Sequence, residues 1–197
     1  MVRITSTPKD KLLGSMRFAG ENINLADSAR ILTPEDIAIG SNVTLASGCV
    51  LSGNIRIGDN VYIGPNTILV AGDAGIVIDA NTMIGKNCSI YATGDDIEGI
   101  IFPPTKLPCA VGHNVSAPVH IGRQVIIGSL CTVSPGVTLM EGGVFKPGSY
   151  INHNTDPWSI YSGGILTCEG SRPKEIIKEG NDMVAVPKRQ PVQIHYI

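Results

Sequence analysis

A six-residue repeat runs through most of the chain and limits the folds that the chain can adopt. Consecutive hexads such as IGSNVT, LASGCV and IGDNVY fill residues 39–74, and the same register resumes over residues 78–89 and 115–156. The first position is aliphatic in fourteen of the fifteen hexads, with Phe145 as the exception. The fifth position is Val, Ile, Cys, Thr or Ser in thirteen, with Asp73 and Gly143 as the departures.

This periodicity predicts a β-solenoid and excludes an amphipathic helix, whose apolar residues would recur every three or four positions. Three hexads would form one triangular coil, in which each hexad supplies a short strand and a corner. Side chains at the first and fifth positions would then fill the prism. Glycine and asparagine between them, as in Gly40-Ser41-Asn42, suit corners with positive φ. We expect an all-β prism of about five coils.

The solenoid is expected over residues 23–157, with other segments covering its open ends. Residues 1–22 would form the leader that caps one end, and residues 158–197 would supply a turn, a helix and a tail at the other. The helix is predicted over 171–180, since Ser171 suits an N-cap position, Pro173 the first turn and Gly180 the stop.

The hexads are interrupted by an insert over residues 91–114. A structureless segment of that length inside a regular solenoid is usually functional. It carries the adjacent carboxylates Asp95 and Asp96 and ends near His113. We therefore expect the insert to contribute to a binding or catalytic site.

The composition of the chain excludes several classes of binding partner. Fifteen Lys+Arg against seventeen Asp+Glu leave a net charge of −2, which argues against nucleic acid and against a polybasic membrane anchor. We find no apolar window of signal-peptide or membrane-span length. The five cysteines are an odd number without metal-ligand spacing, which favours reduced thiols in a cytoplasmic protein and no bound metal.

Three stretches resemble hexapeptide-repeat sugar acetyltransferases. VHIGRQVIIGSLCTVSPGVTLMEGG is similar to their signature coil, and PWSIYSGG followed by GSRPKEIIKE is similar to their closing segment. SIYATGDDIEGIIFPPTKLP resembles the insert of the acyltransferases of dTDP-linked 4-amino-4,6-dideoxy sugars. The resemblance implies a left-handed β-helix, a homotrimer with active sites between subunits, acetyl-CoA as co-substrate and a nucleotide sugar of surface polysaccharide (O-antigen) synthesis as acceptor.

The resemblance also assigns roles to individual residues. It places the pantetheine arm of acetyl-CoA along a path whose four residues are Ser129, Pro147, Asn152 and His153. Trp158 would lie near this path or cap the last coil. Arg172 and Lys174 would approach the phosphates or adenine, or would be ordinary surface charges of the terminal helix. Tyr91, Asp95 and Asp96 open the insert and would bind the sugar.

A histidine that related sugar O-acetyltransferases use for catalysis is absent here. Asp95 stands where it would align, and Gln124 stands where the amino-sugar subgroup often carries another. A hydroxyl acceptor needs a base poised near neutrality, whereas an amine needs mainly orientation and a proton acceptor. We expect N-acetylation with Asp95 as base or amine anchor and Asp96 as its partner. His113 and His120 are the competing acid–base candidates.

Alternatives remain open at this point. Sugar O-acetylation of the galactoside, maltose or colanic-acid type is the nearest one. A solenoid that binds without catalysis belongs to a different class, and failure to bind coenzyme A would favour it. A γ-class carbonic anhydrase shares the solenoid but needs three histidines converging on zinc. The four histidines of this chain are poorly spaced for that, and one of them is in the tail.

Overall fold

A computed structural model describes residues 8–95 and 114–172, which form one helix, α1 (Pro8–Gly14), a 3₁₀ turn (Pro34–Asp36) and twenty short strands. The first ten are β1 (Phe18–Ala19), β2 (Asn24–Leu25), β3 (Arg30–Ile31), β4 (Ile37–Ile39), β5 (Thr44–Leu45), β6 (Val50–Ile57), β7 (Tyr62–Ile63), β8 (Ile68–Ile78), β9 (Met83–Ile84) and β10 (Ser89–Tyr91). The others are β11 (Thr93–Asp95), β12 (Asn114–Ser116), β13 (Val119–Ile121), β14 (Ile126–Ile127), β15 (Thr132–Val133), β16 (Thr138–Leu139), β17 (Val144–Phe145), β18 (Tyr150–Ile151), β19 (Ser159–Ser162) and β20 (Thr167–Ser171). None of the described helices is long and apolar enough to cross a membrane.

Parallel pairing stacks the strands into three faces of a prism. The first face contains β1, β4, the C-terminal parts of β6 and β8, β13 and β16. The second contains β2, β5, β7, β9, β14, β17 and β19. The third contains β3, the N-terminal parts of β6 and β8, β10, β15 and β18. The chain visits them in this order six times, so the predicted parallel β-solenoid is confirmed.

We name the edges of the prism in the same order. The first edge joins the first face to the second, the second edge joins the second to the third, and the third edge joins the third back to the first. At the first edge, Asn22, Asn42, Asn60 and Asn81 all have positive φ. Their side-chain amides form a ladder from one coil to the next, with N–H donors 3.0–3.1 Å from carbonyl oxygens. Asparagine therefore both tolerates the corner conformation and links neighbouring coils.

The interior follows the hexad prediction closely. The first-position side chains are buried in fourteen of the fifteen hexads, including Phe145. The fifth-position residues are also buried in fourteen, and only Asp73 faces solvent. Buried thiols and hydroxyls in these positions donate to backbone carbonyls at the edges, as Cys49 does to Gly64 of the second edge at 3.2 Å and Thr82 to Gly122 of the first edge at 3.0 Å. The four described cysteines are free thiols, and burial raises the pKa of Cys49; Cys109 lies outside the described residues.

One hexad assignment was wrong, and it concerns the return from the insert. Val115 was placed at an inward first position but is 44% exposed, because it lies in β12, which pairs antiparallel with β11 outside the prism. The inward register resumes at Val119. The two ends of the insert are thus an ordered two-stranded ladder rather than structureless chain, and the ladder closes the gap that the insert opens in the coil.

Both ends of the prism are covered. The first coil already begins at Phe18, within the segment that the sequence assigned to the leader. Leu12 and Leu13 pack against the core from α1, next to the buried Met16. At the other end, β19 continues the second face and β20 turns back antiparallel along it. Ser171, the predicted N-cap, ends β20, and residues 173–180 of the predicted helix lie outside the described residues.

The two departures at positions 143 and 145 compensate each other. The buried ring of Phe145, which stacks on Tyr161 with centroids 5.4 Å apart, fills more of the prism than an aliphatic side chain. A methyl group added to Gly143 would lie only 3.2 Å from that ring. The missing side chain at Gly143 therefore makes room for the aromatic ring in the same layer.

We predict that Gly143→Ala lowers the free energy of unfolding by about 1–3 kcal/mol, because the added methyl overpacks the layer around Phe145. In Gly143→Ala/Phe145→Leu the loss should be smaller than the sum of the single losses, with a coupling of at least about 0.5 kcal/mol. Urea unfolding at one protein concentration measures both. Gly164→Ala is the matched control, since no atom lies within 4 Å of the added methyl. Additive losses would contradict the coupling.

Candidate functional site

The residue that follows each strand of the first face is glycine in four coils. A side chain is difficult to place there: a Cβ on Gly58 would lie 2.8 Å from the backbone nitrogen of Ala80 in the next coil. The fourth coil nevertheless carries Asp79 at this position. The glycines are Gly20, Gly40, Gly58 and Gly122. The backbone N–H of each one donates to the carbonyl oxygen of the last strand residue in the following coil.

Asp79 is paired with His120 of the next coil. The two atoms His120 Nε2 and Asp79 Oδ2 are 2.9 Å apart, and the side chains remain 48% and 37% exposed, respectively. His120 points outward from β13, between Val77 of β8 and Thr138 of β16. The carboxylate can only accept, so in the neutral imidazole Nε2–H donates to Asp79 and Nδ1 is left as an acceptor. The pair is a proton acceptor open to a ligand.

A groove of about 410 Å³ adjoins this pair along the first face and first edge. Asp79 lines it, together with the carboxylate of Asp59, whose Oδ1 accepts a hydrogen bond of 2.7 Å from the backbone N–H of Ser41. The volume lies within the range of small-molecule sites. The groove residues other than Asp79 and Asp59 are Phe18, Ala38, Gly40, Arg56, Ile57, Gly58, Ile78, Ala80 and Arg123.

The insert begins and ends beside the same face. Tyr91 closes β10 on the third face and is half-buried, and Asp95 ends β11, with its Cα paired to that of Asn114. The chain then runs through β12 directly into β13, which carries His120. The fold therefore brings the ordered ends of the insert to the third edge, next to the face that bears His120. Asp96 and His113 lie outside the described residues.

The residues predicted to bind the cofactor lie on all three edges of the prism. Ser129 and Pro147 follow one another on the second edge, where Ser129 Oγ accepts from the backbone N–H of Lys86 at 3.3 Å. Asn152 and His153 lie on the third edge in the sixth coil, with Asn152 Oδ1 and His153 Nδ1 3.1 Å apart. The structure brings together the members of each pair, but one protomer does not collect both pairs in one groove.

Trp158 and Arg172 form a third pair, on the first edge. The Arg172 guanidinium donates to the carbonyl oxygens of Gln124 (2.6 Å) and Gly142 (3.1 Å) and lies 5.7 Å from the centroid of the Trp158 ring. Burial lowers the pKa of Arg172. Trp158 itself has positive φ, as does Gln124, so both continue the corner geometry of the asparagine ladder. Arg172 thus stabilises the end of this edge; Lys174 lies outside the described residues.

Sequence reasoning missed Asp79, although a signal was present. The hexad containing it reads IDANTM, whereas the hexads at the same corner of the neighbouring coils read IGDNVY and IGRQVI. An acid replaces the corner glycine there. Its partner, His120, was among the predicted acid–base candidates, but the two are 41 residues apart and only the coil register brings them together.

Comparisons with known proteins agree with the fold. A family model of bacterial transferase hexapeptide repeats matches residues 36–71. The dTDP-4-amino-4,6-dideoxy-D-glucose acyltransferase of Escherichia coli is 29% identical over 82% of this chain and 85% of that enzyme. The galactoside O-acetyltransferase of Escherichia coli (strain K12) is 30% identical over 58% of this chain and 49% of that enzyme.

A solved structure extends the similarity to three dimensions. AntD, an N-acyltransferase from Bacillus cereus crystallised with dTDP-4-amino-4,6-dideoxyglucose and coenzyme A, superimposes with a TM-score of 0.81 at 27% identity, covering 87% of this chain and 92% of AntD. AntD has also been crystallised with dTDP and 3-hydroxybutyryl-CoA. The chain is a hexapeptide-repeat protein with the fold of the left-handed β-helix acyltransferases. It is an acyltransferase, as the sequence predicted, and the AntD structures hold coenzyme A or 3-hydroxybutyryl-CoA as co-substrate.

The structure predicts a stabilising role for Arg172 that can be separated from cofactor binding. Arg172→Ala removes both hydrogen bonds to the edge carbonyls and the contact with Trp158, so it should lower the free energy of unfolding by about 1–3 kcal/mol. Urea unfolding measures the loss, and Arg30→Ala, at an exposed arginine of β3, is the control. Unchanged stability with a raised KM for acyl-CoA would instead assign Arg172 to the cofactor.

Proposed function

We propose that this protein transfers an acyl group from acyl-CoA to the amine of a nucleotide-linked amino-deoxy sugar. The observation that carries the proposal is the Asp79–His120 pair, which stands open beside a groove on the face next to the insert. The similarity to AntD and to the dTDP-amino-sugar acyltransferase, which extends over most of the chain, supports an amino sugar as the acceptor. The similarity to galactoside O-acetyltransferase makes O-acetylation the second candidate.

The reaction needs one proton acceptor and one proton donor. The neutral amine attacks the thioester carbonyl, a C–N bond forms, and the nitrogen loses a proton to Nδ1 of His120. The C–S bond then breaks, and the imidazolium returns the proton to the sulfur of coenzyme A. Asp79 holds the ring in position and stabilises the imidazolium while the proton is on it.

The carboxylates of the insert have a complementary role. Asp95 and Asp96 would bind the substrate amine as ammonium before it is deprotonated, with Tyr91 close to the sugar. The alternative in which Asp95 itself is the base is decided by the variants described below, and His113 is the remaining acid–base candidate. The described ends of the insert, β11 and β12, adjoin the face bearing His120.

We further propose that the enzyme is a cytoplasmic homotrimer. Outward side chains of the second face form an apolar column, in which Tyr62 and Met83 are 42% and 45% exposed and Ile126, Val144 and Ile160 continue the series. A neighbouring prism covering this column would lie against the first edge. Acyl-CoA between two prisms would then meet Ser129 and Pro147 of one subunit and the edges bearing His153 or Trp158 of the next. We include in the proposal a role in surface polysaccharide (O-antigen) synthesis.

The acceptor is tested by coenzyme A release with paired substrates. A dTDP-4-amino-4,6-dideoxy sugar should turn over, and its 4-hydroxy counterpart should be slower by about 10²-fold or more, since a hydroxyl is far less nucleophilic near neutral pH. Acetyl-CoA and 3-hydroxybutyryl-CoA are compared as donors. Preference for the hydroxyl would transfer the assignment to O-acetylation, and no turnover with no binding of coenzyme A would leave a binding solenoid.

The proton acceptor is tested by four substitutions assayed side by side. His120→Asn should lower kcat/KM by about 10²-fold or more, and Asp79→Asn should lower it less, because the imidazole remains but loses the carboxylate that orients it. Asp27→Asn, at an exposed carboxylate without an ion pair among the described residues, is the control. If Asp95→Asn has the large effect and His120→Asn stays within a few-fold of wild type, Asp95 is the base.

A further inference from the structure

We propose that the groove on the first face binds the nucleoside diphosphate part of the acceptor, with the base at Phe18, the diphosphate at Arg56 and Arg123 and the sugar amine at Asp79–His120. This inference rests on the proposed function, because it assigns subsites for that acceptor. It adds a binding site, an orientation and a chemical class of ligand to a surface that the reaction steps themselves leave unassigned.

The charges of the groove point to an anionic ligand. Its two carboxylates are engaged, Asp79 by His120 and Asp59 by the backbone N–H of Ser41. Its two guanidinium groups, those of Arg56 and Arg123, are exposed and have no ion pair within the part of the chain that the structure describes. Two uncommitted arginines lining one groove suit a diphosphate, whose oxygens accept several charge-assisted hydrogen bonds.

The floor and the end of the groove suit a flat nucleoside. Gly40, Gly58 and the short side chains of Ala38 and Ala80 keep the floor low. A Cβ on Gly40 would lie 2.4 Å from Asp59 Oδ1, so this glycine is also needed for the engaged carboxylate. At the N-terminal end stands Phe18, an aromatic ring that is 59% exposed. An exposed aromatic ring at the end of a polar groove is a stacking surface for a nucleobase.

The spacing between coils sets the distances between the outward side chains along this face. The consecutive Cα partners on it are Phe18, Ala38, Arg56, Val77 and His120. With coils about 4.8 Å apart, Arg56 lies roughly 10 Å from Phe18 along the prism axis and roughly 10 Å from His120. A nucleoside diphosphate sugar carries base, diphosphate and sugar in the same order. One extended ligand can therefore place its base on Phe18 and its amine beside His120. Arg123, in the same coil as His120, would then contact the phosphate nearer the sugar and Arg56 the phosphate nearer the nucleoside.

This orientation leaves the C-terminal coils to the donor. The sugar end points toward Thr138 and the sixth coil, and Asn152, His153 and Trp158 all lie beyond His120 in that direction. The acyl donor and the acceptor would then approach His120 from opposite ends of the prism. The thioester and the amine meet at the imidazole, and neither substrate has to cross the other.

Calorimetric titration with dTDP and dTMP tests the assignment without acyl transfer. Wild type should bind dTDP more tightly than dTMP, because the second phosphate reaches an arginine. Arg56→Gln and Arg123→Gln should each weaken dTDP by about tenfold and reduce its advantage over dTMP. Phe18→Ala should weaken both nucleotides by about the same factor. Titration with UDP in place of dTDP measures how strongly the site discriminates between nucleosides.

Matched variants separate a binding role from a structural one. Arg30→Gln and Leu32→Ala, at an exposed arginine and an exposed apolar side chain of the first coil, should bind dTDP like wild type. Arg56→Lys should retain part of the affinity, since it keeps the charge but not the bidentate geometry. Failure of the wild type to bind dTDP, or unchanged binding in the folded Phe18, Arg56 and Arg123 variants, would overturn the inference.

The proposed nucleotide subsite and the proposed acyl-transfer reaction can be contradicted independently of each other. If an amino sugar is acylated but dTDP does not bind, or binds equally well to the Arg56 and Phe18 variants, the subsite assignment is wrong and the acyltransferase proposal stands. If dTDP binds in the predicted pattern and no amine is acylated by any acyl-CoA, the nucleotide subsite stands and the proposed reaction is wrong. The titration and the coenzyme A assay on the same preparations distinguish these cases.

Discussion

Parallel backbone hydrogen bonding between successive coils is the constraint on which the rest of this structure depends. Each coil takes its register from the previous one, so each residue lies above an equivalent residue about eighteen to twenty-one positions earlier where no insert intervenes. An inward position therefore stays inward along the whole prism, and a corner stays a corner. The asparagine ladder of the first edge adds side-chain bonds to the same register.

Because the register is so uniform, residues that break the repeat carry information. Phe145 and Gly143 break it together, since a larger and a smaller residue share one layer and their volumes compensate. Asp79 breaks it without such a partner: its side chain stands where four other coils have glycine and the sixth has Met140. A departure from the repeat whose change in volume is compensated by a neighbouring residue is explained by packing. An uncompensated polar departure that is paired with His120 and borders a groove belongs to function.

This distinction explains how much the sequence alone could predict. The solenoid and its interior follow from the hexads, since burial at fixed positions leaves a periodic signal. The start of the solenoid was placed at residue 23 instead of Phe18, because the uninterrupted run of hexads begins only at Ile39. Val115 was misplaced because an insert hides the phase in which the repeat resumes. The partnership of Asp79 with His120, and of Arg172 with the carbonyl oxygens of Gln124 and Gly142, depends on stacking between distant segments. No local pattern encodes such contacts.

The uniform interior also explains where specificity can reside. Since the inward positions are apolar or small in every coil, they offer few groups for catalysis or recognition, and chemistry is confined to outward positions, edges and the insert. Along the first face those outward positions change from an aromatic ring to an arginine to a histidine over four coil spacings, which is roughly 19 Å. The parallel backbone hydrogen bonds between coils hold these side chains in this order without loops or hinges. A long substrate with an ordered sequence of chemical groups can therefore be matched along the axis, and the reacting end is set by the coil that bears the proton acceptor.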